Sequence, residues 1–277
     1  MASFRERNDR KARSEQVGKS GGDRQKNQRP QRSSQGRVDP EGWLWGWHAV
    51  EAALANPARE GPMRLLATPE KARELESRIP RERRDLRVEP VDAHELSRML
   101  PQGAVHQGVA LRAAPLEGVS LHELAEGRSG VIVMLDQVTD PQNVGAIFRS
   151  ALAFGAKGVI LQDRHAPALS GALAKAATGA TERLPCARVT NLSRALETLA
   201  DLGWRAVGLD GSAELTLAEA LDGGPTVLVM GSEGEGIRRL VAEHCDVLAK
   251  IPMPGGFESL NVSNAAAVAL YEASRPR

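Results

Sequence analysis

The sequence predicts an α/β fold: a parallel sheet in the second half of the chain, a smaller α/β domain before it, and a basic N-terminal arm read as disordered. Three observations lead there. Strand-like apolar runs alternate with helical patterns from about residue 42 to the end, the order expected of βαβ units. Beyond Gly130 those runs are continuously apolar, as in "GVIVMLD", "KGVILQD" and "TVLVM", which fits strands covered on both faces. No internal repeat of fixed period is present.

Residues 1–40 hold eleven Lys/Arg against five Asp/Glu, leaving 25 basic and 30 acidic residues for 41–277. The arm is rich in Arg, Gln, Ser, Gly and Asn and nearly free of apolar side chains, so burial cannot offset the entropy of ordering it. It reads either as a cationic tether with salt-sensitive affinity for RNA or DNA, or as a solubilising tail.

The small domain is expected over 41–113. "GWLWGWHAVEAALAN" puts Val50, Ala53 and Leu54 on one helical face. A short apolar "MRLLAT", a charged helical stretch over 69–84 and strand-like "LRVEPV" follow. Asp92 and Glu95 have capping-box spacing ahead of "DAHELSRML", and "VHQGVALRA" closes the domain as a strand.

Residues 114–128 read as a linker with a short helix capped by Ser120 and Glu123. The large domain is expected over 129–277. Its strands are the five runs "GVIVMLD", "KGVILQD", "WRAVGLD", "TVLVM" and "DVLAKI" and a short "ARV". Helices are expected over 141–154, 168–179, 192–202, 216–221, 236–244 and 262–274.

Several function classes drop out. No apolar run approaches the ~20 residues that span a bilayer, and the N-terminus lacks the apolar core of a signal peptide. Cys186 and Cys245 are the only cysteines, and the six histidines show no ligand spacing, so a metal site has little support. These features read as cytoplasmic. Neither GxGxxG nor GxxxxGK[ST] occurs, which disfavours a dinucleotide fold or a Walker loop. No Ser-His-Asp or Cys-His arrangement supports covalent catalysis.

Three polar stretches lie just past strand ends, the edge where open α/β sheets bind ligands. In "DPQNVGAIFRSALAFG", Asp140 suits an N-cap and Pro141 suits N1. Val144, Ile147, Phe148, Ala151 and Leu152 form the apolar stripe there. Asn143 falls in the first turn and Arg149 off the stripe; both are either solvated polar residues or aimed at a ligand. In "VLVMGSEGEGIRRL", glycines spaced GxxGxG permit a tight path, and Glu233 is either a helix-start carboxylate or a substrate contact. In "IPMPGGFESLNVSNAAA", Ser259 or Asn261 caps the last helix, which leaves the remaining polar residues unexplained.

Together these stretches resemble, in order, the three motifs of the SpoU/TrmH family of RNA ribose 2′-O-methyltransferases, of the SPOUT class. "GWHAVEAAL" and "AVHQGVA" resemble the small L30e-like RNA-binding domain of members that modify 23S rRNA, and the likeness is strongest to those that methylate a guanosine in its peptidyl-transferase region. The resemblance implies a C-terminal trefoil knot that holds S-adenosyl-L-methionine, and a homodimer whose sites are completed across the interface. It assigns Asn143, Arg149, Glu233, Ser259 and Asn261 to catalysis, and the backbone at Gly231, Ile251 and Leu260 to the cofactor. It implies neither a metal nor a membrane. Asn264 stands where the family is more often apolar. The alternatives weighed are a tRNA-directed or antibiotic-resistance methyltransferase of the same family and a non-catalytic RNA-binding assembly factor.

Overall fold

The computed structural model describes residues 42–255 and 259–275. The basic arm read over 1–40 lies outside these residues.

The first sheet has four strands in the order β1-β4-β2-β3: β1 (Trp43–Trp45), β2 (Arg64–Ala67), β3 (Val88–Pro90) and β4 (Val109–Arg112). Strand β4 runs antiparallel to β1 and β2, while β2 and β3 are parallel. Helices α1 (Trp47–Ala55) and α2 (Pro69–Glu76) cover one face through Val50, Ala53, Leu54 and Leu75. Helix α3 (Ala93–Met99) covers the other through Leu96. Asp92 caps α3 by accepting the Glu95 N–H at 2.7 Å. The helix expected over 69–84 stops at Glu76, and a 3-10 turn at Arg81–Arg83 follows Pro80. A proline lacks the N–H that would continue the ladder, and it disfavours the helical conformation in the residue before it.

Helix α4 (Leu121–Ala125) starts with the full Ser120/Glu123 capping box and leads into the second sheet. The strands there are β5 (Val131–Leu135), β6 (Gly158–Gln162), β7 (Cys186–Val189), β8 (Arg205–Leu209), β9 (Leu215–Thr216), β10 (Thr226–Met230) and β11 (Val247–Lys250). Their order is β7-β6-β5-β10-β8-β11-β9, and every pair is parallel. The helices are α5 (Pro141–Ala153), α6 (Gly171–Ala177), α7 (Leu192–Asp201), α8 (Leu217–Ala220), α9 (Arg239–Ala242) and α10 (Val262–Ser274).

Alternate residues along each strand feed two separate cores. Val133, Leu135, Val159, Leu161, Leu228 and Met230 face α5, α6, α8 and α10. Ile132, Met134, Ile160, Val227 and Val229 face α4, α7 and α9. Two-sided burial is why the strands read as unbroken apolar runs. Two strands escaped sequence reading, β1 and β9, at three and two residues each, and the helix expected over 236–244 shrinks to Arg239–Ala242. Among the described residues no helix is long and apolar enough to cross a membrane.

The topology positions the site. From β5 the chain runs outward through β6 and β7, then crosses to β8, and β10 later enters between β5 and β8. The C-terminal ends of β5, β10, β8 and β11 therefore stand side by side at a switch in strand order, where α/β sheets open a crevice.

Candidate functional site

The loops that leave β8, β10 and β11 meet around a cavity of about 820 Å³. Its lining includes Gly231, Glu233, Ile251, Ser259, Leu260 and Asn261. Asn143 sits beside it, joined through hydrogen bonds, while Arg149 lies outside the lining.

The loop after β10 folds back on itself. Ser232 and Gly236 exchange backbone hydrogen bonds of 3.1 and 3.0 Å, which throws Glu233 to the tip. Gly234 and Gly236 adopt φ of 89° and 69°, a region open to glycine at little cost. Gly231 answers a different demand. A Cβ there would stand 2.0–2.2 Å from the backbone of Gly236 and Ile237, so the loop closes only over a bare Cα. This close approach is to the chain's own backbone.

Glu233 reaches across to the other two stretches. Its Oε1 accepts from the Asn143 amide at 3.1 Å, from the Asn261 amide, and from the Val262 N–H at 3.3 Å. The Asn261 amide also donates to Asn143 Oδ1 at 3.0 Å, which closes a ring of three side chains. Glu233 thus stands at the N-terminus of α10, thirteen residues long, where a carboxylate meets unpaired N–H groups and the positive end of the dipole. It is a helix-start carboxylate, but for α10 and not for the short helix that follows it in sequence. Its Oε2 makes no hydrogen bond among the described residues.

Asn261 is the N-cap of α10: its Oδ1 accepts from Ser263 N at 3.0 Å and Asn264 N at 3.4 Å, and from the Ser263 hydroxyl. Ser259, the other expected cap, is left on the cavity wall, and Asn264 contributes a backbone N–H with its side chain in solvent. On α5 the Asp140 carboxylate caps by accepting Gln142 N at 3.0 Å, and this sets Asn143 in the first turn. Arg149, exposed six residues on and so roughly 9 Å along the axis, forms no hydrogen bond or ion pair among the described residues.

Two supports went unread in the sequence. Asp136, fully buried just after β5, accepts Arg238 N at 2.9 Å and Nε at 2.8 Å, tying the far end of the Glu233 loop to the neighbouring strand. Asp210, just after β8, accepts Ser212 N at 2.8 Å and Oγ at 2.7 Å inside the cavity wall. The Ser212 hydroxyl, more than its N–H, holds the Asp210 carboxyl below the ordinary carboxylate range. Both aspartates close an apolar strand as the dipeptide Leu-Asp, and that repeated ending was the available signal.

The cavity suits a cofactor with an apolar ring and a cation. Met230, Ala249, Val262 and Ala265 supply apolar wall, and the negative charge of Asp210, Glu233 and Glu235 outweighs the positive charge of Lys250. Among the described residues no cluster of His, Cys, Asp or Glu has the arrangement of a metal site.

Residues 130–271 match the model of the SpoU rRNA Methylase family. The chain belongs to that family. Residues 43–119 match the model described as RNA 2′-O ribose methyltransferase substrate binding. An uncharacterized tRNA/rRNA methyltransferase of Mycobacterium sp. (strain KMS) is 45% identical over 193 residues, 68% of this chain and 61% of that protein. Its counterpart in Synechocystis sp. is 42% identical over 195 residues, 69% of this chain and 50% of that protein. The chain thus spans less than two thirds of the length of these curated relatives. The SpoU methyltransferase AviRb of Streptomyces viridochromogenes, crystallised with AdoMet, superposes with a TM-score of 0.70 at 26% identity, covering 84% of this chain and 88% of that one.

Proposed function

We propose that this SpoU family member transfers a methyl group from S-adenosyl-L-methionine to a ribose 2′-OH in RNA, with a guanosine of the peptidyl-transferase region of 23S rRNA as the target. The observation that carries the reading is the ring of Asn143, Glu233 and Asn261, which joins all three motif stretches at the mouth of a cavity lined by Gly231, Ile251 and Leu260. Residues 41–113 take the role of RNA-binding domain, 114–128 of linker, and 129–277 of catalytic domain. A knotted path for the C-terminal segment is part of this reading, supported by the bonds that hold the start of α10 against the loop after β10.

When bound, S-adenosyl-L-methionine supplies an electrophilic methyl group on a sulfonium, so neither metal nor covalent enzyme intermediate is needed. The backbone at Gly231, Ile251 and Leu260 holds it. Glu233 Oε2, free of partners within the described residues, orients the ribose, while Asn143 and Asn261 hold Glu233 in place. Ser259 shapes the wall beside the reacting groups. Alignment of this kind contributes up to roughly 7–11 kcal/mol in ideal systems. A guanidinium with pKa above ~12 is a reluctant base. Arg149 therefore acts as a cation that engages the target phosphate and stabilises the developing alkoxide, while the hydroxyl proton passes to a phosphate oxygen of the substrate and on to water. Its position away from the cavity lining supports a homodimer in which Arg149 of one protomer serves the cavity of its partner.

Calorimetry with S-adenosyl-L-methionine and comparison of 2′-O-methylation maps of total RNA from a deletion strain and its parent test the proposal. The expected result is cofactor binding and one missing site in 23S rRNA. Missing tRNA sites alone would move the target to tRNA, and absence of cofactor binding would favour an assembly factor without catalysis.

A further inference from the structure

A second cavity, of about 710 Å³, opens between the two sheets' coverings. One wall is the 101–105 loop ahead of β4, where Val105 is 66% exposed. The facing wall is Pro141 and Gln142 in the first turn of α5, with Pro167 and Ala168 from the loop before α6. Trp45, Gly171 and Ala172 form the floor. At Gly171, with φ of 58°, a Cβ would stand 2.9 Å from Cη2 of Trp45, so a bare Cα lets the indole edge approach the start of α6.

Three features select an occupant. The walls are mostly apolar, built of prolines, alanines, valine, leucine and an indole. Of their four polar side chains Lys175 donates to Gln107 Oε1, while those of Gln102, Gln142 and Ser170 have no hydrogen-bond partners among the described residues. A mostly apolar cavity of this size with a few convergent polar groups is a common form of ligand site. The first turn of α5 is shared: Gln142 lines this cavity, and Asn143 is bonded to Glu233 of the first. Finally, the residues matched by the substrate-binding model and those matched by the methylase model both contribute walls.

We propose that this cleft is a nucleobase pocket, which takes one unstacked base of the RNA strand adjacent to the ribose held at Asn143, Glu233 and Asn261. The inference rests on the reading of the chain as an RNA ribose methyltransferase. Single-stranded RNA is recognised through splayed bases packed on apolar and aromatic side chains and hydrogen-bonded along their edges. The Gln102 and Gln142 amides each offer both a donor and an acceptor, which any base edge can use. A captured neighbour fixes the register of the strand, so one ribose rather than the next faces the first cavity.

The test uses the full-length protein and two fluorescent probes titrated by anisotropy. One is a short single-stranded oligoribonucleotide of mixed sequence, and the other is its abasic counterpart on the same ribose–phosphate backbone. The wild type is expected to prefer the base-bearing probe by about tenfold, the scale of one base packed in a site. Ala168→Trp fills the cleft from an exposed loop position and is expected to remove that preference while abasic binding stays unchanged. Gln142→Ala, which takes away an edge contact without filling space, should remove part of it. A wild type without preference, or a folded Ala168→Trp protein that keeps it, overturns the pocket. Methyl transfer is scored separately. A protein that prefers bases but transfers no methyl group keeps the pocket and loses the catalytic reading; one that transfers methyl without base preference does the reverse.

Discussion

Two glutamates tie distant parts of this chain together in opposite ways. Glu182, in the 3-10 turn Ala180–Glu182 after α6, accepts from Arg59 Nη2 at 2.7 Å, Arg59 Nε at 2.9 Å and the Asn56 amide at 3.0 Å. Both side chains of its ion pair are almost wholly buried, at 3% and 1% exposure. Arg59 spends its remaining contact on the Ala114 carbonyl. Glu233, by contrast, is exposed, engages neutral amides through one oxygen and leaves the other without a protein partner among the described residues. A carboxylate saturated by a buried guanidinium is a fastening between the segment after α1 and the turn after α6. A carboxylate half-satisfied at a cavity mouth has an oxygen that a ligand can reach.

The comparison can be broken by substitution. The largest stability effect is expected from Glu182→Ala, which strands the buried Arg59 charge and should cost about 3–5 kcal/mol by denaturant unfolding. A loss under about 1 kcal/mol would mean that the pair is not a fastening. Gly231→Ala should follow closely, since its methyl meets backbone at 2.0–2.2 Å, and is expected to lower both melting temperature and cofactor affinity. Asn261→Ala removes a helix cap and should cost roughly 0.5–2 kcal/mol, with methyl transfer falling much further than stability. Glu233→Gln should leave stability within about 0.5 kcal/mol, as for most exposed substitutions, while methyl transfer drops about a hundredfold. Arg149→Ala should abolish transfer and spare cofactor binding. Mixing inactive Arg149→Ala and Glu233→Gln protomers should restore part of the activity if sites are shared across a dimer.

The smallest expected effect depends on pH. His106 accepts the Gly108 N–H at Nδ1 and meets Ser97 Oγ at 3.0 Å, and burial lowers its pKa from the ordinary 6.5. The folded state therefore prefers the neutral ring. Its contribution is present above about pH 6.5 and is lost as pH falls through the lower folded value. Melting curves of the wild type and His106→Gln should converge in acid and separate modestly near neutrality. Cys186 and Cys245, with thiols pushed up to about 12 by burial, should resist alkylation at neutral pH in the folded protein.

What the sequence made legible follows from range. Asp140, Ser120 and Asp92 cap helices by bonds to residues two or three positions on, and local spacing reveals such bonds. The two-sided burial of β5, β6 and β10 was visible as unbroken apolar runs. Glu233 meeting Asn143 across 90 residues, and Arg59 meeting Glu182 across 123, leave no periodic trace. The three polar stretches were each visible past a strand end and pointed to a family only when taken together, yet only the insertion of β10 beside β5 brings two of them together in space. Short edge strands such as β9 escaped because two residues carry no alternation to read.

The central claim is methyl transfer to a ribose hydroxyl, and alkaline hydrolysis tests it directly. Unmodified 23S rRNA transcript would be incubated with the protein and S-adenosyl-L-methionine labelled at the methyl group, then digested with alkali. A methylated 2′-OH cannot attack the neighbouring phosphate, so the label should emerge in alkali-resistant dinucleotides and vanish with Glu233→Gln. Label recovered in mononucleotides would place the methyl group on a base and contradict the account.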